Sequence, residues 1–212
     1  MRDEGQRSSD NTTSAAQPDS PSISDKPNDQ VNHSSLNMVF SRGNCEEREV
    51  VRLTAAPAAS DDLAYIFPMG LMTGSHITPV DHQYYFWDDK QAPLDRYSVH
   101  SPADGYVVKV DYLENDYHVV IEHSCDIYSI FIHLERLTGP LEDLNDAVSW
   151  GKPQYARIPI KAGEAIALDG GTAGFDFSVH NNALILPGFI NPSSYIVEPW
   201  KVHTVRPLRV FR

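Results

Sequence analysis

The chain has 212 residues, 41% of them hydrophobic, and a formal net charge of −12. That is room for one ordinary domain of roughly 100 to 150 residues plus an appendage. The acidic balance argues against nucleic acid as a partner, because phosphate binding calls for basic patches, and no apolar run reaches the roughly 18 to 20 residues of a membrane-spanning helix.

Residues 1–33 are mostly Ser, Asp, Asn, Gln and Pro, with almost no large apolar side chain. Such a segment cannot bury enough surface to offset the entropy of ordering it, so residues 1–36 read as a disordered tether or linker. A plainer reading is a terminus without function. The opening MRDEGQRSSDNTTSAAQ lacks the apolar stretch of a signal peptide, yet such a start also remains after an export leader is removed. In that case an extracellular, periplasmic or lipoprotein-anchored location is expected. Cys45 and Cys125 allow one disulfide in an oxidising compartment and two ordinary thiols in a reducing one.

The folded domain is expected over residues 37–212. VVRLTAAPA and LAYIFPMGLM read as short strands or extended segments leading into a turn-rich stretch at residues 73–81. YVVKVDYL, YHVVIEHS and IYSIFIHLERL then alternate and are rich in Val, Ile and Tyr. Short polar stretches such as Glu114-Asn115-Asp116 separate them, which predicts consecutive antiparallel strands. Residues 139–152 suggest a short helix, IPI-KAGE-AIAL a strand-turn-strand unit, and VHTVRPLRVF a late strand. Few windows hold a 3.6-residue period beyond two turns, so a mostly β domain is predicted.

Three blocks follow in fixed order: SPADGYVVKV, HVVIEHSCDIYSIFIHLERL and IKAGEAIALDGGTAGFDFSV. Within them stand Asp104-Gly105, Ile121-Glu122-His123, Ile132-His133-Leu134, Lys161-Ala162-Gly163-Glu164 and Gly170-Gly171-Thr172-Ala173-Gly174. This order resembles the lysostaphin-like, LytM-type zinc metallopeptidase domain, over roughly half of the chain. The resemblance implies an antiparallel β-sheet or β-sandwich of the duplicated hybrid motif type and a zinc cofactor. It also implies hydrolysis of peptide bonds, in peptidoglycan or similar cell-wall peptides, by metal-activated water. The turns alone also suit biotinyl- or lipoyl-like barrels, so the histidines discriminate.

A catalytic zinc takes three protein ligands and leaves a fourth position for water. The family's first ligand pair, in a His-x-Gly-x-Asp segment, falls on His82-Gln83-Tyr84-Tyr85-Phe86, where His82 fits and Phe86 stands in place of Asp. His76 and Asp81 are nearby substitutes, although both also suit ordinary loop hydrogen bonding. The family's closing His-x-His-Phe falls on Gly174-Phe175-Asp176-Phe177. Asp176 would replace the ligand His, binding through oxygen at about 2.0 to 2.2 Å, and Gly174 replaces the catalytic His. His133 aligns with the remaining active-site His, which implies a catalytic role in orienting water or polarising an oxyanion. Without the flanking blocks it would read as a buried strand His donating to a carbonyl. His123 is expected to pack near the site, and His180 shares a strand face with Asp176 and is a spare ligand. His100, His118 and His203 carry no spacing argument.

Three functions are thus in play. The first is a zinc hydrolase with the metal on His82, Asp176 and one of His76 or Asp81, assisted by His133. The second is a catalytically inactive relative whose groove binds cell-wall peptide or a partner enzyme. The third is a carbohydrate-binding sandwich using Tyr84, Tyr85, Phe86 and Trp87, residues that more often fill a core edge. No Gly-x-Ser-x-Gly elbow and no P-loop occur.

Overall fold

The alternating central runs form β4 (Gly105–Leu113), β5 (Asp116–Glu122) and β6 (Ile127–Leu134), paired antiparallel in sequence order. Leu113 pairs with Asp116, so Glu114 and Asn115 alone make the first turn, with φ of 54° and 71°. Two left-handed residues are what a tight hairpin needs to match the twist of its strands. These coordinates are a computed structural model that describes residues 36–72, 79–171, 174–195 and 198–207. Apart from Leu36, the predicted tether lies outside the described residues.

β6 continues to β10 (Phe175–Asn181), then β2 (Gln83–Trp87) and β1 (Leu63–Phe67), while β8 (Gln154–Ile160) lies along the far edge of β4. With β11 (Thr204–Val205) on the end of β10, the described residues form an eight-stranded sheet. β3 (Tyr97–His100), β9 (Ala165–Asp169) and β7 (Arg136–Leu137) form a three-stranded sheet in the order β3-β9-β7. Among the described residues every strand pairing is antiparallel. The chain is therefore mostly β, as its periodicity predicts, and the regular helices, α1 (Leu36–Phe40) and α2 (Leu144–Ala147), are very short.

Three segments depart from expectation. The KAGE turn does join two strands, but β8 pairs with β4 and β9 with β3 and β7, so its arms belong to different sheets. Asp104 holds this turn, accepting from Lys161 Nζ and from the Ala162 amide, each at 2.9 Å. VVRLTAAPA forms no strand and instead hydrogen-bonds the Pro102 carbonyl through Thr54, at 2.8 Å. Of VHTVRPLRVF, Thr204–Val205 is strand and residues 208–212 lie outside the described residues.

Phe131, Phe175, Phe177, Tyr85 and Trp87 from the large sheet share one core with Tyr97, Val99, Ile166 and Leu137 from the small sheet. Trp87 stacks on Tyr97 at 4.4 Å between ring centres. On the other face of the large sheet, Leu36 and Phe40 of α1 cover Val108, Val120, Tyr128 and Ile130. The chain before β1 is further fastened by a Cys45–Cys125 disulfide, with Cα atoms 5.0 Å apart. Buried Glu122 accepts from the Ser41 hydroxyl and, at 3.1 Å each, from the Glu46 amide and Arg157 Nη1. These donors replace the water that a buried carboxylate loses.

Because the disulfide bridges a sequence separation of 80, the chain-entropy account assigns it about 4.5 kcal/mol of stability. Reduction, or the double change Cys45→Ser with Cys125→Ser, is expected to lower the unfolding free energy in urea by up to that amount. An unchanged midpoint would show that the crosslink does not constrain the unfolded chain.

Candidate functional site

Strand alternation places the acid at the centre of the site. Phe175, Phe177 and Val179 of β10 enter the core, so Asp176, Ser178 and His180 face the other way. Asp176 lies in register with Tyr84 of β2 and Ile132 of β6. On β2, Tyr85 and Trp87 point into the core, leaving Tyr84 and Phe86 on the face of Asp176. His82 stands just before this strand, its ring 4.8 Å from that of Tyr84.

Plain alternation would send His133 the way of Phe131, into the core. The register of β5 with β6 slips instead, with Tyr117 opposite Leu134 and Val119 opposite Phe131, so Ile132 and His133 together oppose His118. His133 has φ of 67°, a left-handed conformation that costs a non-glycine residue about 1–2 kcal/mol. Such a bulge re-aims a side chain, here toward β10 and the turn end of β5.

The result is a chain of alternating acids and imidazoles. Asp176 Oδ2 lies 3.1 Å from His82 Nε2 and 3.7 Å from His133 Nε2. Behind His82, Asp81 Oδ1 is 3.1 Å from Nδ1. Behind His133, Asp116 Oδ2 is 2.6 Å from Nδ1, and its other oxygen is 3.0 Å from His118 Nε2. Side-chain exposure rises from 7% at Asp176 and 10% at His82 to 41% at His133, so the cluster opens to solvent through His133.

Burial acts against a charge on His82, but the Asp176 and Asp81 carboxylates outweigh it and bring its pKa up to about 9. Burial likewise opposes ionisation of Asp116, yet His118 and His133 hold it at about 2. Asp81 is also lowered, since its His82 partner outweighs burial. The hydrogen bond to Asp116 is the largest influence raising His133.

Of the residues named from sequence, His82, Asp81, Asp176 and His133 come together, and His76 lies outside the described residues. His123 does not join them. β5 is seven residues long, about 20 Å at 3.3 Å per residue, and His123 follows the end opposite Asp116. Its ring is engaged by the Asp104 carbonyl at 3.0 Å and Ser129 Oγ at 2.9 Å, and burial lowers its pKa to about 4. His180 shares the face of Asp176, but both ring nitrogens have partners, Ser178 Oγ at 2.8 Å and the Trp200 carbonyl at 2.9 Å. Asp116 and His118 join the cluster without a signal in the sequence: Asp116 looks like part of a polar connection, and His118 has no motif spacing.

Gly174 is fixed by its backbone. Its φ is 91°, and a Cβ there would overlap the Tyr85 carbonyl oxygen, so no histidine fits where the resemblance expects one. Phe86 packs its ring 4.6 Å from Tyr65 and 5.3 Å from Phe67. The row Tyr84-Tyr85-Phe86-Trp87 is split by alternation: Tyr85 and Trp87 are 4% and 2% exposed, so they cannot form part of a sugar-binding surface.

In donor type, His82 Nε2, Asp176 Oδ2 and His133 Nε2 suit zinc, which accepts two imidazoles and a carboxylate at catalytic sites. Among the described residues no group of three or more His, Cys, Asp or Glu stands ready to hold a metal; the donors touch one another, and an ion would have to part them. Beyond the bulge, buried Asp169 accepts from the Glu135 amide at 3.0 Å, and Glu135 from the Gly170 amide at 3.1 Å, securing the chain after His133.

No family model and no curated protein matches the chain. Among solved structures it is similar to Csd3 of Helicobacter pylori. In the orthorhombic crystal the TM-score is 0.44 at 16% identity, covering 76% of this chain and 35% of Csd3. In the hexagonal crystal the TM-score is 0.42 at 17% identity, covering 76% and 33%. The chain thus spans about a third of the length of Csd3.

Gly174→Ala is expected to lose more than about 3 kcal/mol in denaturant melts, since the clash adds to a disfavoured φ; a loss below about 1 kcal/mol would contradict the close approach to Tyr85. Burial raises the Asp169 pKa from 3.8 to about 7. The folded state therefore keeps a proton that the unfolded state releases, and stability falls by up to about 1.4 kcal/mol per pH unit as pH climbs through that interval. Asp169→Asn lacks this loss, so its melting temperature relative to the parent is expected to rise from pH 5 to pH 8. Parallel profiles would show that Asp169 ionises normally.

Proposed function

We propose that this chain is a divergent lysostaphin-like zinc metallopeptidase domain that hydrolyses peptide bonds in peptidoglycan or similar peptides. The observation that carries the reading is the meeting of His82, His133 and Asp176, from three separate parts of the sequence, at one carboxylate oxygen. These are the positions at which the resemblance calls for active-site groups. The antiparallel two-sheet architecture is compatible with a duplicated hybrid motif fold.

His82 and Asp176 would hold the metal, which when bound at such a set lowers the pKa of water to about 7 and polarises a carbonyl. Asp81 fixes the His82 ring so that Nε2 faces Asp176. His133, the most exposed member, is the one a peptide reaches first, and Asp116 holds its other nitrogen. Gly174 offers no side-chain donor, so transition-state stabilisation would have to come from elsewhere in the groove. The Cys45–Cys125 disulfide suits an oxidising compartment, in keeping with a cell-wall substrate outside the cytoplasm or in a periplasm. No described helix is long and apolar enough to cross a membrane.

A second reading, an inactive domain that binds cell-wall peptide or a partner enzyme, draws support from Gly174 and Phe86, where two expected functional side chains are absent. Zinc content after loading and dialysis, paired with digestion of purified peptidoglycan and of a glycine-rich peptide, separates the two. The hydrolase retains about one zinc per chain, loses it in His82→Ala and in Asp176→Ala, and releases new amino termini. A parent chain that keeps no zinc would end the metallopeptidase reading and favour the binding domain, and zinc retention without cleavage of either substrate would leave a structural metal site.

A further inference from the structure

We infer that Asp116 is the positioning residue of His133: it holds the ring proton on Nδ1, so that Nε2 faces the substrate as an acid–base group, and His118 braces the acid from its other oxygen. The inference rests on the peptidase reading above, in which His133 acts on the substrate side, and gives work to two residues to which the resemblance assigns no role.

Three separate backbone features bring the group together. The two-residue turn Glu114-Asn115 closes the β4–β5 hairpin with Leu113 opposite Asp116, which fixes the acid at the start of β5. Asp116 and His118 stand two apart on that strand and so share a face. The bulge on β6 sets Ile132 and His133 together against His118, and the rings of His133 and His118 meet edge to face at 6.2 Å. His133 pays for this place with a left-handed φ of 67°. Such strain persists only where the surroundings over-determine it, and the contact it secures is the 2.6 Å bond between Nδ1 and Asp116 Oδ2.

The two imidazoles beside Asp176 differ in what they can do. His82 is closed, with Asp81 at 3.1 Å from Nδ1, Asp176 at 3.1 Å from Nε2 and 10% of its side chain exposed. His133 is open. Asp176 Oδ2, at 3.7 Å, is beyond hydrogen-bond reach of its Nε2, and 41% of its side chain is exposed. Asp116 behind it is 17% exposed, and its second oxygen lies 3.0 Å from His118 Nε2. An ionised carboxylate only accepts, so a neutral His133 must turn its proton toward Asp116 and leave the Nε2 lone pair outward. A withdrawn acid behind an exposed imidazole also favours the imidazolium formed when Nε2 takes a proton.

In peptide hydrolysis Nε2 takes a proton from water as the water oxygen bonds to the carbonyl carbon. It gives that proton to the amide nitrogen as the C–N bond breaks, leaving a carboxylic acid and an amine, and His133 ends neutral as it began.

Two-bond proton–nitrogen spectra of the full chain with isotope-labelled histidine read the tautomer without reference to metal or activity, at a pH above the titration of His133. The parent should carry the His133 proton on Nδ1, and Asp116→Ala should move it to Nε2. In the zinc-loaded chain Asp116→Ala should also lower kcat for peptide hydrolysis at least about 100-fold with KM little changed, and His118→Ala should cost less. Thermal melts show whether each variant folds, and if Asp116→Ala does not, the parent spectrum alone decides. A parent proton on Nε2, or an unchanged tautomer or kcat in folded Asp116→Ala, overturns the inference and leaves the peptidase reading intact. A parent with the proton on Nδ1 that cleaves neither peptidoglycan nor a glycine-rich peptide overturns the role given to His133 together with that reading.

Discussion

Asp176 is a carboxylate on a central strand with 7% of its side chain exposed. A charge so withdrawn from water is tolerated only with compensating partners. Two imidazoles provide that compensation, and each draws a further acid behind it, Asp81 for His82 and Asp116 for His133. Most of the local structure can be traced to this requirement: the loop entering β2 must deliver a histidine, β6 must turn one outward, and the β4–β5 hairpin must end on an acid. With its pKa brought up to about 9 by the two carboxylates beside it, His82 keeps its proton at neutral pH. A metal would therefore enter in competition with a proton.

Two backbone features pin the arrangement. The bulge at Ile132 and His133 gives up regular pairing on β6 to present a ring toward β10. Gly174 gives up a side chain so that the start of β10 can pass against the Tyr85 carbonyl. The second feature leaves no side chain at that position, and the first aims the ring of His133 at Asp176. The scaffold beneath both is stiffened by the aromatic core at Trp87, Tyr97, Phe131 and Phe175, and by the disulfide that ties the chain before β1 to the β5–β6 turn.

Much of this was legible in the sequence, for definite reasons. Period-two alternation is written directly into β4, β5 and β6, and Glu114-Asn115 is long enough only for a hairpin turn. His82, His133 and Asp176 stand out because recognisable blocks flank them. Partnerships formed across the fold were not legible. The KAGE turn looks the same whether its strands pair or diverge into two sheets, as β8 and β9 do. Asp116 and His118 become site residues only because the bulge brings His133 over them. His123 carries a family-like spacing, yet it lies at the wrong end of β5 and serves to hold the Asp104 turn. Alternation could have divided the aromatic row on β2 into core and surface members once its strand was fixed, but four consecutive aromatics do not mark which two face inward.

The metallopeptidase reading requires that one ion be held beside His82 and the buried Asp176. Crystals grown with zinc and measured on either side of the zinc absorption edge address this directly. The metallopeptidase reading predicts a single strong anomalous peak beside His82 Nε2 and Asp176 Oδ2, with Asp81 still on the outer nitrogen of His82. An empty cluster in fully loaded crystals, or a peak elsewhere on the molecule alone, would contradict it.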